Sequence, residues 1–463
     1  MKFGGTSVAD AQSIGRVADI LEHYRKGGNE LAVVVSAQRG VTDQLIGVSE
    51  SLVRTRDLTT IDPLLTSFRE RHMRTLEGAA PDYVAEVAPV IEARLTELRN
   101  ILLAIHSLRE LTPRSRDFII SYGERLLAPI VGAALRQRGI PSVVLDGCEA
   151  GILTTGQHGE ANALPASDAR IKARVVPLLA DKIPVIMGFM GCTAEGIVTT
   201  LGRSGSDYSA AIMGAGMDAD EIWIWTDVDG IMTTDPRLIR NARVLSSVSY
   251  QEVMELSYFG AKVMHPRSIE PAMRKDILVR VKNTFNPSHP GTCIVRGAHR
   301  DDRIVKALTY IDKVAAISIC GAQMIGRPGV AKAIFSVLAD HDVNVMMISQ
   351  GSSEANISLI IDEGHLDVAV NALSDLVKQG MVRDISHNRD VAAVAVIGAG
   401  MAGAPGTGGR IFTALGKAGV NVMMISQGSS EVNISFVVRQ EDGPRAITIL
   451  HDEFRLSEES HGQ

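Results

Sequence analysis

The sequence predicts an α/β protein in two parts. A three-layer domain with a mainly parallel sheet covers residues 1–297, and two small α+β modules of ferredoxin-like form follow at 305–380 and 385–463. Two observations carry this reading. Short apolar strands alternate with helical stretches up to about residue 297, a pattern that buries a parallel sheet on both faces. After it, Asn344-Val-Met-Met-Ile-Ser-Gln-Gly-Ser-Ser-Glu354 recurs unchanged as Asn421–Glu431, an offset of 77 residues. That period is too long for a solenoid unit and suits a small folded module.

The first element is Lys2-Phe3, which runs into Gly4-Gly5-Thr6-Ser7. An apolar strand end, two glycines and a hydroxyl pair make a loop that lets backbone approach an anion closely. Ser7 to Asp10 fits a capping box, and apolar residues recur at Val8, Ala11, Ile14, Val17, Leu21 and Tyr24. A helix starting at Ser7 would aim its free N–H groups at the loop, with Lys2 adding a positive charge. A plain tight turn explains the same residues. Further strands are predicted at Leu31–Val35, Ser142–Leu145, Pro184–Phe189, Ile222–Thr226 and Ile277–Val281, with helices at Phe118–Gln137 and Tyr208–Ala215. Residues 58–112 carry no strand signal and read as a helical insertion. Asn286-Pro-Ser-His-Pro-Gly291 is a turn-rich stretch before the boundary.

In each repeat the pattern is strand (Val314–Cys320; Val391–Ile397), Gly/Pro loop, helix, strand (Val343–Ser349; Val420–Ser426), turn and strand (Asn356–Ile361; Asn433–Val438). A second helix is clearest at Leu366–Lys378. Tandem modules of this size suit regulation or dimer formation better than catalysis.

Composition narrows the function. With 45% hydrophobic and 22% charged residues the chain is an ordinary globular one, and its net charge of −6 argues against a nucleic-acid or acidic-membrane partner. The basic run Arg69–Arg74 reads as a solvated helix face. Cys148, Cys192, Cys293 and Cys320 are far apart without a C-x-x-C, which predicts neither a zinc site nor a disulfide framework. Neither an apolar run of the ~20 residues of a membrane span nor a leader before the loop is expected. A reducing cytoplasm is the expected compartment.

Four segments could carry chemistry. Thr200-Leu-Gly-Arg-Ser-Gly-Ser-Asp207 sets Arg203 and Asp207 among small residues before a helix, where Arg203 can grip a carboxylate with two prongs and Ser206 or Asp207 can cap the helix or meet a cation. Glu124 lies in a helix after Gly123 and reads, alone, as a surface carboxylate. Trp225-Thr-Asp-Val-Asp-Gly-Ile-Met-Thr-Thr-Asp-Pro-Arg237 follows a strand, where open α/β sheets place a ligand crevice. Phe259-Gly-Ala-Lys262-Val-Met-His265-Pro offers a further lysine, and His265 before Pro266 reads as structural.

Taken in order, KFGGTSV, TLGRSGSD, TDVDGIMTTDPR and FGAKVMHP resemble the signature set of aspartate kinases, the aspartate-specific branch of the amino-acid kinase fold. The repeat resembles the paired ACT domains that such enzymes carry. The resemblance covers essentially the whole chain, and it replaces the bland readings of Gly4-Gly5 and Glu124. It implies an amino-acid-kinase-like catalytic domain and phosphorylation of L-aspartate by ATP to 4-phospho-L-aspartate, the opening step toward lysine, threonine and methionine. It implies Mg²⁺ through the ATP phosphates, with no protein ligand for the metal. Lys2, Gly4, Gly5 and Ser7 fall to the phosphates; Thr226, Asp227, Met232, Arg237, Lys262 and Val263 to the nucleotide. Ser36, Thr42, Glu124, Arg203 and Ser206 fall to the substrate, with Glu124 on its α-ammonium and Arg203 on its α-carboxylate. Asp207 orients Lys2 or the substrate. Asn344, Gln350, Asn421 and Gln427 are expected to bind an effector, threonine by the Ile-Ser-Gln form, and the ACT modules to join a homodimer or a dimer of dimers.

Two other classes fit single features. Gly398-Ala-Gly400-Met-Ala-Gly403 matches the G-x-G-x-x-G of dinucleotide-binding dehydrogenases, yet the next strand ends in Ser426-Gln427 rather than an acid for the ribose. A catalytically dead amino-acid sensor would need only the ACT pair, and retention of Lys2, Glu124, Arg203, Asp207 and Lys262 speaks against it. Three departures from the family pattern stand out. Ser204 replaces a usual glycine, which is expected to tighten the loop around Arg203. Met232 stands where tyrosine is common. Only two residues precede Phe3, short of the roughly 5–6 of an average strand, so the natural start is expected upstream of Met1. The bifunctional form of the family, with a dehydrogenase module after residue 463, is not expected.

Overall fold

A computed structural model describes residues 1–55, 57–260, 264–297, 303–351 and 355–458. The chain divides into two compact units, Met1–Ile231 with Ser246–Tyr250 and Met264–Arg296, and Met232–Leu245 with Gln251–Val263 and Gly297–Gln463.

The first unit is built on an eight-stranded sheet. Its strands are β1 (Lys2–Phe3), β2 (Val33–Val35), β3 (Ser142–Leu145), β4 (Ile183–Met187), then β7 (Glu221–Thr226), β8 (Ser247–Ser249), β9 (Leu278–Asn283) and β10 (Thr292–Val295). A separate ribbon pairs β5 (Met190–Cys192) with β6 (Val198–Thr200). The sheet order is β3-β4-β2-β1-β7-β9-β10-β8, parallel except where β10 meets β9. Two residues suffice for β1 because it lies between β2 and β7, with Phe3 beside Val35 and Trp225. Phe3 is fully buried and stacks on Trp225, ring centroids 5.8 Å apart.

Around the sheet run α1 (Ala11–Lys26), α2 (Val41–Arg54), α3 (Ile61–Ala79), α4 (Val84–Leu108), α5 (Pro113–Ile120), α6 (Tyr122–Gln137), α7 (Ala166–Val175), α8 (Gly205–Gly216) and α10 (Pro266–Lys275). Between residues 58 and 108 the chain forms α3 and α4 with short 3₁₀ turns. The first helix corrects the sequence reading. It starts at Ala11, and Asp10 rather than Ser7 caps it, accepting from Ser13 N at 2.7 Å. Thr6 to Asp10 form turns, so this helix does not open directly on the Gly-Gly loop.

Pro113–Gln137 also differs from expectation: it is long and apolar enough to cross a membrane, but 89% of its apolar window is buried inside the protein. It is the core helix pair α5–α6, divided at Ser121. A second correction concerns sulfur. Cys148 and Cys192, 44 positions apart, are disulfide-bonded with Cα atoms 5.3 Å apart, because β5 passes the loop that follows β3. Cys293 and Cys320 are free thiols.

The second unit contains α9 (Tyr250–Tyr258) from Gln251 onward and a six-stranded antiparallel sheet. Its strands are β11 (Ala307–Cys320), β12 (Val345–Gln350), β13 (Asn356–Asp362), β14 (Asp384–Ile397), β15 (Met424–Gln427) and β16 (Asn433–Val438), ordered β12-β13-β11-β14-β16-β15. Helices α11 (Val330–Asp340), α12 (Leu366–Lys378), α13 (Thr407–Lys417) and α14 (Gly443–Glu453) complete the two repeats. β11 serves both. Ala307–Ile311 pair with Ile397–Ala393, and Leu308 shares a core with Val394, Phe436 and Ile447. The far half of β11 pairs with the start of β14, and Ile317 and Ile319 share a core with Ile334, Leu359 and Leu373. The repeats are therefore interleaved rather than placed end to end.

This topology also accounts for the glycine-rich stretch after β14. A Cβ on Gly398 would collide with the carbonyl of Ile304, and one on Gly400 would lie 2.7 Å from the Arg303 carbonyl. The glycines admit a neighbouring chain segment, not a pyrophosphate.

Candidate active site

The C-terminal ends of β1 and β2 meet the N-terminal ends of α6 and α8 around a cleft of about 560 Å³. Lys2, Ser36, Thr42, Glu124, Arg203, Ser206 and Asp207 all line it. Sequence reasoning therefore gathered residues from separate segments into one place. Glycines permit the approach: a Cβ on Gly5 would lie 2.9 Å from the Ala37 carbonyl, and one on Gly123 would lie 2.5 Å from the Ala37 Cβ. The Ser36–Gly40 loop is thus pressed between the Gly-Gly turn and the start of α6. Gln38 anchors it from behind, donating to Ala9 O at 3.2 Å and to Thr75 Oγ1 of α3 at 3.0 Å.

Glu124 is the cleft's buried acid. It is 3% exposed, and its Oε1 accepts from Ala37 N at 3.0 Å. Oε2 has no hydrogen-bond partner. Burial pushes the Glu124 carboxyl up to about 8, against smaller opposing contributions from the Ala37 amide and the Lys2 charge. Lys2 Nζ lies 2.7 Å from Asp207 Oδ1 in the first turn of α8, without an aligned hydrogen bond, so the contact is chiefly electrostatic. Arg203 is exposed and forms no ion pair among the described residues. It stands between Gly202 and Ser204, both left-handed, with φ of 76° and 55°. Ser204 thus holds a conformation that usually calls for glycine, which costs about 1 kcal/mol and fixes the bend beside Arg203.

The remaining predicted residues are placed differently. Gly4 N donates to the Trp225 carbonyl at 3.2 Å, and the Ser7 hydroxyl is buried against Thr284 Oγ1 at 2.7 Å. Two of the four groups that the sequence reading assigned to the phosphates are thus engaged within the protein. Thr226 ends β7, its hydroxyl 3.2 Å from the exposed Asp227. Met232 and Arg237 fall in the second unit, where Met232 bridges to Val244 and Arg237 forks onto Asp235. Lys262 and Val263 lie outside the described residues. His265 caps α10 by accepting from Arg267 N, a structural role as read.

Sequence reasoning missed Arg39, Arg116, Phe189 and Glu160, which also line the cleft. Arg39 lies between Ser36 and Thr42, the two residues that the resemblance singled out, and the segments of the other three carry no motif. Phe189 has a left-handed φ of 70°, which nothing in its side chain announces. Among the described residues no cluster of three or more metal-ligating side chains occurs.

Comparison with known proteins bears on the family and the fold. The model of the amino acid kinase family matches residues 1–283, and that of an ACT domain matches 317–376 and 394–454. The chain is 32% identical to aspartokinase 1, chloroplastic, of Arabidopsis thaliana over 98% of its own length and 79% of that protein. It belongs to the aspartokinases of the amino acid kinase family. The bifunctional aspartokinase/homoserine dehydrogenase 1, chloroplastic, of Zea mays is 36% identical over 98% of this chain and 50% of its own length. The chain thus spans about half the length of the first curated relatives it matches. Aspartokinase III of E. coli, solved with aspartate and ADP in the R-state, is similar at 29% identity and a TM-score of 0.82, covering 98% of both chains. The same enzyme with lysine and aspartate, in the T-state, gives 0.79.

Proposed function

We propose that this aspartokinase chain transfers the γ-phosphoryl group of ATP to the side-chain carboxylate of L-aspartate. An oxygen of that carboxylate forms the new P–O bond, the bond from γ-phosphorus to the β-phosphate oxygen breaks, and ADP leaves with its electron pair. One observation carries the reading: a free guanidinium, Arg203, and a buried carboxylate with one open oxygen, Glu124, line the same cleft. They are complementary to the α-carboxylate and α-ammonium of an amino acid. The substrate's side chain then points toward Lys2 and the first turn of α8.

The acceptor carboxylate is ionised at pH 7, so no general base is required. Two anions must instead be held together. Lys2 supplies positive charge to the phosphoryl oxygens, the α8 N-terminus adds its N–H dipoles, and Asp207 keeps the Lys2 ammonium aimed. Ser36 at the start of the loop and Thr42 in the first turn of α2, with Ser206, complete the polar wall of the substrate pocket. Gly5, Thr226 and Asp227 are assigned to the nucleotide side. Mg²⁺ is assigned to the ATP phosphates, because Asp207, the acid nearest Lys2, is already paired and no ligand cluster stands ready among the described residues.

Hydroxylamine trapping of the acyl phosphate, run with aspartate against glutamate, tests the assignment. Aspartate should be trapped and glutamate should not. Equal trapping, or none with aspartate, would sink it.

For the second unit we infer feedback control by threonine and self-association through the ACT sheet. Gln350 and Gln427 end its two edge strands, β12 and β15. Those edges expose Ile348 and Ile425, apolar surface that a second copy would cover. The cytoplasm, which supplies ATP and free aspartate, is the proposed compartment, and the Cys148–Cys192 bridge is then a bond exposed to its reducing thiol pool.

A further inference from the structure

We propose that Asp117 is a positioning residue for the Arg203 clamp: a buried carboxylate that ties two cleft loops into one rigid wall without touching substrate itself. The inference rests on the aspartate-kinase reading of the cleft.

Asp117 lies on α5 and is fully buried. Burying a carboxylate is costly unless donors surround it, and here they converge from two other segments. Thr200, the last residue of β6, donates through its hydroxyl to Oδ1 at 2.5 Å and through its amide to Oδ2 at 3.1 Å. Gly159 N lies 3.1 Å from both oxygens. His158 Nδ1 sits 2.7 Å from Oδ2, within hydrogen-bond distance. Both carboxylate oxygens are therefore satisfied by donors from outside α5.

The segments so joined are the ones that shape the substrate end of the cleft. Gly159 and Glu160 line it on one side; Thr200, Gly202 and Arg203 line it on the other. The two stretches touch directly, since a Cβ on Gly202 would lie 3.0 Å from the Gly159 carbonyl. From Thr200 the chain needs only Leu201 and Gly202 to reach Arg203. From Asp117 the chain runs through the end of α5 into α6 and Glu124, the partner at the other end of the amino acid. One carboxylate thus sets the spacing between both halves of the clamp. An amide of the same shape does this less well: an asparagine offers one acceptor oxygen in place of two, so the Thr200 hydroxyl must turn round to accept from its NH₂ and the donors crowd onto a single oxygen.

The test uses D117N, T200V and H158Q in the full chain, with hydroxylamine-trapped turnover and calorimetric aspartate binding. D117N should raise the aspartate KM at least tenfold, leave the ATP KM unchanged and change kcat by less than about threefold, the pattern of lost substrate positioning. T200V, which removes one hydroxyl, should shift the aspartate KM in the same direction by a smaller factor. In an R203A background D117N should add less than its effect alone, because the part that passes through Arg203 is already lost. Unchanged aspartate KM in D117N, equal rises in both KM values, or full additivity with R203A would overturn the proposal. If D117N does not fold, T200V and H158Q decide. An aspartate-selective rise in either supports it, and unchanged KM in both overturns it. Wild-type turnover separates the two levels: phosphorylation of aspartate without these variant effects removes only the role of Asp117. Absence of aspartate binding to the wild type removes the reading and the role together.

Discussion

Lys2 Nζ and Asp207 Oδ1 stand 2.7 Å apart, joining the central strand β1 to the first turn of α8, with both side chains about nine-tenths buried. The pair explains why a lysine at a strand end is dependable as a phosphoryl ligand. A free ammonium on a four-carbon stem loses considerable entropy when it is fixed, and Asp207 holds it before any nucleotide arrives. A Cβ on Gly4 would lie 3.4 Å from the same Nζ, so the glycine leaves that ammonium room.

Lys2→Ala should lower kcat by orders of magnitude with a smaller change in aspartate KM. Its charge matters most as negative charge spreads over the transferring oxygens. Steady-state kinetics with both substrates varied settle this. A raised KM with unchanged kcat would make Lys2 a ground-state binder only.

Arg203→Ala should do the reverse, raising aspartate KM tenfold or more while kcat falls less, because the α-carboxylate is remote from the reacting oxygen. Arg203→Lys should not restore binding, since an ammonium lacks the two-pronged geometry. Full rescue by lysine would refute the clamp.

For Glu124 the expected signature is a pH profile. Its carboxyl is pushed up to about 8 by burial, so in the free protein it is mostly protonated at pH 7. Pairing with an α-ammonium requires the ionised form. Aspartate affinity should therefore rise about tenfold per pH unit toward pH 8 and level off above it, with proton release on binding below pH 8. The same displacement acts oppositely on folding. The folded chain holds this proton more tightly than the unfolded one, so stability falls as pH rises from about 4.5 through about 8. Calorimetry in two buffers of different ionisation heat reads the proton release, and Glu124→Gln should abolish it. A flat affinity between pH 6 and 9 would contradict the assignment.

Much of this molecule was readable in its residues, for identifiable reasons. Ser142–Leu145, Leu366–Lys378 and Asn433–Val438 occur with the predicted bounds, because each is a clean apolar or amphipathic run closed by turn residues. The cleft was readable because Gly4-Gly5, Gly123-Glu124 and the glycines around Arg203 are local necessities of close backbone approach. Asp117 was not: an aspartate in a short helix looks like any surface acid until Thr200 and Gly159 are folded onto it. The same holds for Cys148 and Cys192, whose spacing carries no motif, and for β11, whose first half belongs to a core completed by residues far downstream. Ser7 misled because a serine before Asp10 satisfies the capping pattern, while its hydroxyl is spent on Thr284. Long-range partners decide these cases, and local pattern does not contain them.

The disulfide yields a stability prediction for the first unit. Closing a loop between positions 44 apart stabilises the folded chain by roughly 4 kcal/mol in the chain-entropy account, and typical measured effects are about 2–4 kcal/mol. Denaturant unfolding of the Cys148→Ser/Cys192→Ser double variant, or of the wild type in strong reductant, should show that loss. A midpoint unmoved by reductant, with both thiols verified free, would show that the bridge adds nothing.

The last prediction concerns control. Threonine should inhibit, and lysine and methionine should not, with Gln350 and Gln427 as the discriminating groups. Both close an identical Ile-Ser-Gln segment at the end of an edge strand, and both are exposed. Ser352 to Glu354, which continue the first copy, lie outside the described residues. An amide at such a position can donate to and accept from a small hydroxyl-bearing ligand, whereas the ammonium of lysine would call for a carboxylate. Asn344 and Asn421 begin the same two segments and are also exposed, which places further amide groups along each edge. A bound effector inhibits only if it favours one arrangement of the chain over another, so its effect must fade when its differential contacts are removed. Activity should be assayed against each of the three amino acids in the wild type, in Gln350→Ala and in Gln427→Ala. Weakened threonine inhibition in one variant alone would identify the copy that binds. Inhibition by lysine but not threonine would reverse the effector assignment, and threonine inhibition untouched by both substitutions would move the site elsewhere.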